Sequence, residues 1–180
     1  IYLPCYLPPH KSPAKVEGRH RMRMLQLALD DCQETTRVHL TLDGYELQRA
    51  EPSFTFNTLT HFARSHDSDN LGFVIGMDSL LSFTKWFRWQ DLLAMCHWFV
   101  MARPGYTLDT TALAPELTNA LGQRIHLVDV PKVDVSSSEL RVLLAQTQRP
   151  RLLTNQELTA LVPAPVLTYI QAHALYVPGD

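Results

Sequence analysis

Apolar residues recur along this chain with two different periods. Between residues 19 and 31 they fall three and four apart. Met22, Leu25, Leu29 and Cys32 share one face, and Met24, Leu27 and Ala28 widen it. That spacing predicts an amphipathic helix. Leu71-Gly72-Phe73-Val74-Ile75 is instead a continuous apolar run, the pattern of a central parallel strand buried on both faces. Shorter runs predict strands at 1–4, 38–42, 97–101 and 125–128. Helical spacing and start signals predict helices at 51–64 (opening on Pro52 and Ser53), 90–96, 115–121, 136–145, 155–161 and 163–173. Gly76 ends the central run, and Asp78 is expected to cap a short helix behind it. Three prolines, Pro8, Pro9 and Pro13, forbid regular structure across 5–18. Strands alternate with helices, so the expected fold is α/β, a doubly wound parallel sheet with right-handed crossovers. Ligands of such sheets sit outside the carboxyl ends of the strands. The whole of 1–180 is expected to be one domain, with 136–180 as its C-terminal helical region.

Composition narrows the function. The 180 residues are 46% hydrophobic and 19% charged, with a net charge of -2, a globular composition. No global basic field draws the chain to nucleic acid or to a membrane surface. The longest apolar stretch, 92–102, is too short to span a bilayer and contains His97. Cys5, Cys32 and Cys96 are odd in number and far apart, which argues for a reducing, cytoplasmic setting. The chain opens at Ile1 on a strand already under way, and further residues are expected upstream of it. Self-association stays open.

Four loops would meet at the carboxyl edge. Pro8-Pro9-His10-Lys11 can hold a histidine and a cation near a phosphate in a stiff loop, or can be a surface connector. Gly76-Met77-Asp78-Ser79 lets a ligand approach the backbone at Gly76, with Asp78 placed for ribose hydroxyls or serving as a cap alone. Lys85-Trp86-Phe87-Arg88-Trp89 offers an indole as a platform for a flat ring, a contact worth about 0.5–1.5 kcal/mol beyond burial, or simply core. Asp134-Val135-Ser136-Ser137-Ser138-Glu139-Leu140-Arg141 reads as a capping box, Ser136 with Glu139. Its serine-tipped helix start, with Arg141 further in, is also a polyphosphate site. Arg103 ends a strand, where it fits a phosphate contact or a surface ion pair. The histidines show no metal-ligand spacing, and no metal site is expected.

In this order the motifs resemble those of one family, the bacterial nicotinate-mononucleotide adenylyltransferases. The stretches are PPHK (8–11), RMRMLQLAL (21–29), EPSFTFNTL (51–59), FVIGMDSL (73–80), KWFRWQDLL (85–93), ARPGY (102–106), VSSSELR (135–141) and VPAPVLTYIQAHALY (162–176). The resemblance implies a Rossmann-like nucleotidyltransferase fold. It also implies an activity in NAD biosynthesis: AMP passes from ATP to nicotinate mononucleotide, giving deamido-NAD and pyrophosphate, with Mg²⁺ riding on the ATP phosphates. By position, Trp86 matches the indole that stacks on the pyridine ring. Thr55 and Phe87 match the segment that holds the nicotinate carboxylate, and Asp78 the acid near the ribose. His10, Lys11, Gly76, Arg103, Ser136, Ser138 and Arg141 match the ATP and phosphate positions, the last three within the family's ISxTxxR signature.

The family's Gly-rich GxFDPxHxGH segment, with its first strand and catalytic histidines, has no counterpart in residues 1–180. No catalytic residue is therefore assigned. The segment is expected upstream of Ile1, and without it the resemblance implies an inactive nucleotide-binding fragment. Asn57, Phe54 and Ser138 are smaller departures that should be tolerated. The open alternatives are adenylyl transfer to nicotinamide mononucleotide or phosphopantetheine, a non-catalytic nucleotide-binding module, and a structural domain using the aromatic cluster at an interface.

Overall fold

The computed structural model describes residues 1–9, 14, 16–33, 36–49, 51–64, 71–102, 107–131, 135–147 and 149–177. His10, Lys11 and Arg103 lie outside these. The chain forms two compact units, one of Phe54–Val133 and one of Ile1–Ser53 with Asp134–Asp180.

In the Phe54–Val133 unit, β1 (Gly72–Gly76), β2 (His97–Ala102) and β3 (Ile125–Asp129) pair in parallel in the order β1-β2-β3. The register sets Phe73 opposite Trp98 and Trp98 opposite Ile125, so these side chains share one face. Four helices in this unit carry apolar residues onto that face: α2 (Thr55–Phe62), α3 (Met77–Leu81), α4 (Trp89–Met95) and α5 (Pro115–Ala120). Leu59, Leu80, Phe83, Leu92 and Leu117 close over Ile75, Trp98, Val100 and Ile125. Each such side chain contributes about 1.5–3 kcal/mol by leaving water. The Trp98 indole N–H stays satisfied by donating to the Leu92 carbonyl at 3.2 Å.

The parallel α/β expectation holds, but β1 is not buried on both faces. It ends the strand order, and Val74 is 58% exposed beside a buried Ile75. Val74, Phe99, Met101 and Val128 all lie exposed on the second face. A continuous apolar run and a half-buried strand cannot be told apart when the outward residue is also apolar. On that face the Phe99 ring lies over Gly72, where a Cβ would come within 2.6 Å of it.

The other unit is helical. α1 (Gly18–Gln33), α6 (Ser137–Gln146), α7 (Gln156–Leu161) and α8 (Ala164–Ala172) enclose Leu144, Leu158, Val166, Leu167 and Ile170. A 3-10 turn at Arg149–Thr154, which the sequence pattern did not signal, adds Leu152. α1 packs Met24, Leu27 and Ala28 against this core and buries Leu29, so the expected stripe holds except at its end, where Cys32 is exposed. A broad apolar stripe of helical spacing is what a helix packed on a core requires.

Two expected strands shrink to one parallel bridge, Tyr2 with Leu42. The Tyr2 N–H donates to the Thr41 carbonyl at 2.8 Å, and the Asp43 N–H to the Tyr2 carbonyl at 3.0 Å. Ile1, Tyr2 and Val38 are exposed. Two short segments with no third strand beside them, among the described residues, gain too little burial to extend the ladder. Ser53 does not start a helix either. Its hydroxyl accepts from the Tyr6 N–H at 3.1 Å and its own N–H donates to Leu7 at 2.8 Å. With Ser53 tied to that loop, α2 begins two residues later, behind an extended Phe54.

Candidate functional site

Within the Phe54–Val133 unit, β1 runs straight into α3. Gly76 is extended at φ -83° and serves as the N-cap of α3 without any side-chain bond. Asp78 is thus not the cap that the sequence pattern predicted. It sits exposed in the first turn. A carboxylate there is favoured by the amide dipoles at the helix start. A Cβ built on Gly76 would meet nothing within 4 Å, so the backbone at the end of β1 faces open space.

Thr55 and Phe87 come together through aromatic packing. The Phe87 ring lies 5.2 Å from Phe54 and 5.9 Å edge-on from Phe56, the two neighbours of Thr55. Phe87 is nonetheless 51% exposed. Arg88 adopts a left-handed backbone at φ 55°, its guanidinium 4.1 Å over the Phe56 ring and 2.6 Å from Asp91. This clamp joins the start of α2 to the loop before α4. It leaves the first-turn amides of α2 close to an exposed ring, an arrangement suited to a flat anion.

Trp86 lies at the end of a 3-10 turn, Phe83–Lys85. One indole face stacks on buried Phe83 at 5.3 Å and 24°, and the ring meets Trp98 edge-on at 6.1 Å. The indole is half-buried. Both readings of it hold together: it is anchored in the core and it keeps surface that a ring could cover.

Ser136, Ser138 and Arg141 belong to the helical unit. Ser136 caps α6 in the expected capping box. Its hydroxyl accepts from the Glu139 N–H at 3.2 Å, and the Glu139 carboxylate accepts from the Ser136 N–H at 2.6 Å. Hydrogen bonds from the Ser136 hydroxyl and N–H hold the Glu139 carboxyl below the usual carboxylate range. Ser138 and Arg141 are exposed. Arg141 lines two clefts of this unit. One, of about 400 Å³, has Ser137, Leu140 and Tyr176 in its walls. The other, of about 450 Å³, has His20, His173 and again Tyr176.

Sequence reasoning missed two histidine clusters because their members are far apart in the chain. On the exposed sheet face, His97 Nδ1 and His126 Nε2 are 2.9 Å apart, and Phe99 stacks on His126. In the helical unit, His20 Nδ1 and the Tyr169 hydroxyl are 3.0 Å apart, across 149 residues of sequence, with His173 beside both. Only the parallel register in the first case, and helix packing in the second, makes these pairs. Among the described residues no group of three or more His, Cys, Asp or Glu side chains could hold a metal ion. Nor is any described helix long and apolar enough to cross a membrane.

Residues 1–143 match the family model described as cytidylyltransferase-like. A probable nicotinate-nucleotide adenylyltransferase of Pectobacterium atrosepticum is 37% identical over 98% of this chain and 83% of its own length. One from Pseudoalteromonas atlantica is 36% identical over 98% of the chain and 80% of its own length. Among solved structures, the Plasmodium falciparum nicotinic acid mononucleotide adenylyltransferase complexed with APC superposes with a TM-score of 0.70. It covers 97% of this chain and 80% of that one at 17% identity. The same enzyme complexed with NaAD gives 0.66. At that identity the likeness is one of fold, the Rossmann-like nucleotidyltransferase fold.

Proposed function

The chain belongs to the nicotinate-nucleotide adenylyltransferases, within the cytidylyltransferase-like family, and from that membership we propose how its own residues serve the reaction. The protein is a nucleotidyltransferase of NAD biosynthesis. It transfers the adenylyl group of ATP to nicotinate mononucleotide, giving nicotinate adenine dinucleotide and pyrophosphate. The phosphate of the mononucleotide attacks the α-phosphorus of ATP in line and pyrophosphate leaves, with no covalent enzyme intermediate. Such a reaction is accelerated by positioning and by charge stabilisation.

Trp86 takes the pyridine ring on the indole surface that Phe83 leaves uncovered. The α2 amides at Thr55, with Phe87 beside them, receive the nicotinate carboxylate. Asp78 accepts from ribose hydroxyls, and the open space at Gly76 admits the nucleotide close to the backbone. Ser136, Ser138 and Arg141 hold ATP phosphates, joined by His10, Lys11 and Arg103. Magnesium enters with ATP as part of the substrate, mainly through water ligands. These roles are binding and positioning, since residues 1–180 contain no match to the GxFDPxHxGH segment. We take 1–180 as one nucleotidyltransferase domain, a reading supported by a family match that runs through both units. Its three cysteines, odd in number and far apart in the sequence, support a cytoplasmic setting.

The observation that carries the residue assignment is the Phe54–Phe87–Phe56 clamp, which sets Thr55 beside the Trp86 loop. Assay of the purified protein with ATP and three acceptors tests the substrate. Nicotinate mononucleotide should be adenylylated in preference to nicotinamide mononucleotide and phosphopantetheine. A preference for either of the other two would contradict the assignment.

A further inference from the structure

The 450 Å³ cleft of the helical unit has an unusual lining. His20 comes from the start of α1, Arg141 from α6, and His173 and Tyr176 from the chain leaving α8. Three of the four are cationic or can become so, and they converge although 153 residues separate His20 from His173. Among the described residues, the one acid in the lining, Glu17, is already paired with Arg19 at 2.8 Å.

The backbone there is held in place at a cost. α8 ends with the Ala174 N–H donating to Gln171 and the Leu175 N–H to Ile170, a Schellman arrangement. Its left-handed position, usually glycine, is Ala174 at φ 56°. Tyr176, two residues on, is also left-handed at φ 57°, and no helix end explains it. Each such residue costs roughly 1–2 kcal/mol. The result is that His173 and Tyr176 both line the cleft.

The chemistry of these groups suits phosphate oxygens. Arg141 is a permanent cation with a forked set of donors. When the Tyr169 hydroxyl donates to His20 Nδ1, the ring proton must sit on Nε2, so His20 remains a donor even when neutral. Burial pushes the Tyr176 phenol up, while Arg141 and Arg21 nearby pull the other way. That phenol therefore stays protonated at neutral pH as a further donor.

We propose that His20, His173 and Tyr176 extend the Arg141 phosphate site into a pocket for the β- and γ-phosphates of ATP, the group that leaves as pyrophosphate. This inference rests on Arg141 being an ATP ligand, and the test separates the two. Calorimetric titration would use inorganic pyrophosphate, ATP and AMP as probes, against wild type, His20→Gln, His173→Ala and Arg141→Ala. Loss of one charge-assisted hydrogen bond should weaken pyrophosphate and ATP about tenfold in each histidine variant, and leave AMP unchanged. Glutamine at 20 can still bond the Tyr169 hydroxyl. Should that variant fail to fold, the exposed His173 decides alone. Unchanged pyrophosphate affinity in the histidine variants, with ATP weakened in Arg141→Ala, would overturn the inference and leave the Arg141 assignment standing. Unchanged ATP affinity in Arg141→Ala would overturn both.

Discussion

At Gly76 the backbone is extended, and a Cβ would meet nothing within 4 Å, so the fold does not require glycine there. Gly76→Ala should therefore raise stability by about 0.4–1 kcal/mol through the unfolded chain. It should also weaken nucleotide binding, because the methyl group fills the space through which a ligand reaches the backbone. Thermal melts and ATP titration on the same variant check the pair of effects, and tight ATP binding by it would remove Gly76 from the site. The cysteines give a second residue-scale expectation. Burial pushes the Cys96 thiol up to about 12, although Arg124 pulls it down, whereas Cys32 is exposed. Only the thiolate reacts. Timed alkylation at neutral pH with mass spectrometry should label Cys32 first and Cys96 only on unfolding. Other residues were legible in part. Trp86 stood out as an aromatic in a polar loop, but its stacking on Phe83 depends on packing that the sequence does not display.

Among the elements, those with both a period and a cap were read best. α6 shows it: Ser136 and Glu139 stand three apart ahead of an apolar stripe, and the structure closes the box. Removing the cap by Ser136→Ala should cost about 1 kcal/mol. Glu139 has its folded pKa depressed, so the carboxylate's contribution is present above the ordinary carboxylate range and is lost as pH falls through the lower, folded value. Glu139→Gln should flatten that acid-side decline in denaturation midpoints measured from pH 6 to pH 3. An unchanged pH profile would mean the box contributes nothing in solution. The strand expectations at 1–4 and 38–42 fared worse. An apolar run indicates a strand only if a neighbour pairs with it, and Tyr2 and Leu42 share a single bridge. For β1 the outward Val74 is as apolar as the inward Ile75, so the period of two was hidden.

At the scale of the whole molecule, the parallel α/β class followed from the alternation of strands and helices. The long-range clusters did not. His97 with His126, and His20 with Tyr169 and His173, arise from register and helix packing that no local spacing encodes. The proposed ligands also fall in both units. Trp86, Phe87, Thr55 and Asp78 lie in the Phe54–Val133 unit, while Ser136, Ser138 and Arg141 lie in the helical one. The proposed mononucleotide ligands are thus confined to the first unit, and the phosphate ligands of ATP described in α6 to the second. Mutations should separate accordingly, because residues that share no partner act independently.

Titration of nicotinate mononucleotide and of ATP, each against Trp86→Ala and Arg141→Ala, measures that separation directly. Losing the ring contact should weaken the mononucleotide by about tenfold in Trp86→Ala and leave ATP near its wild-type affinity. Losing the guanidinium should weaken ATP by about ten- to a hundredfold in Arg141→Ala and spare the mononucleotide. Equal losses of both ligands in either variant, or none in both, would contradict the assignment of the indole to one substrate and the guanidinium to the other.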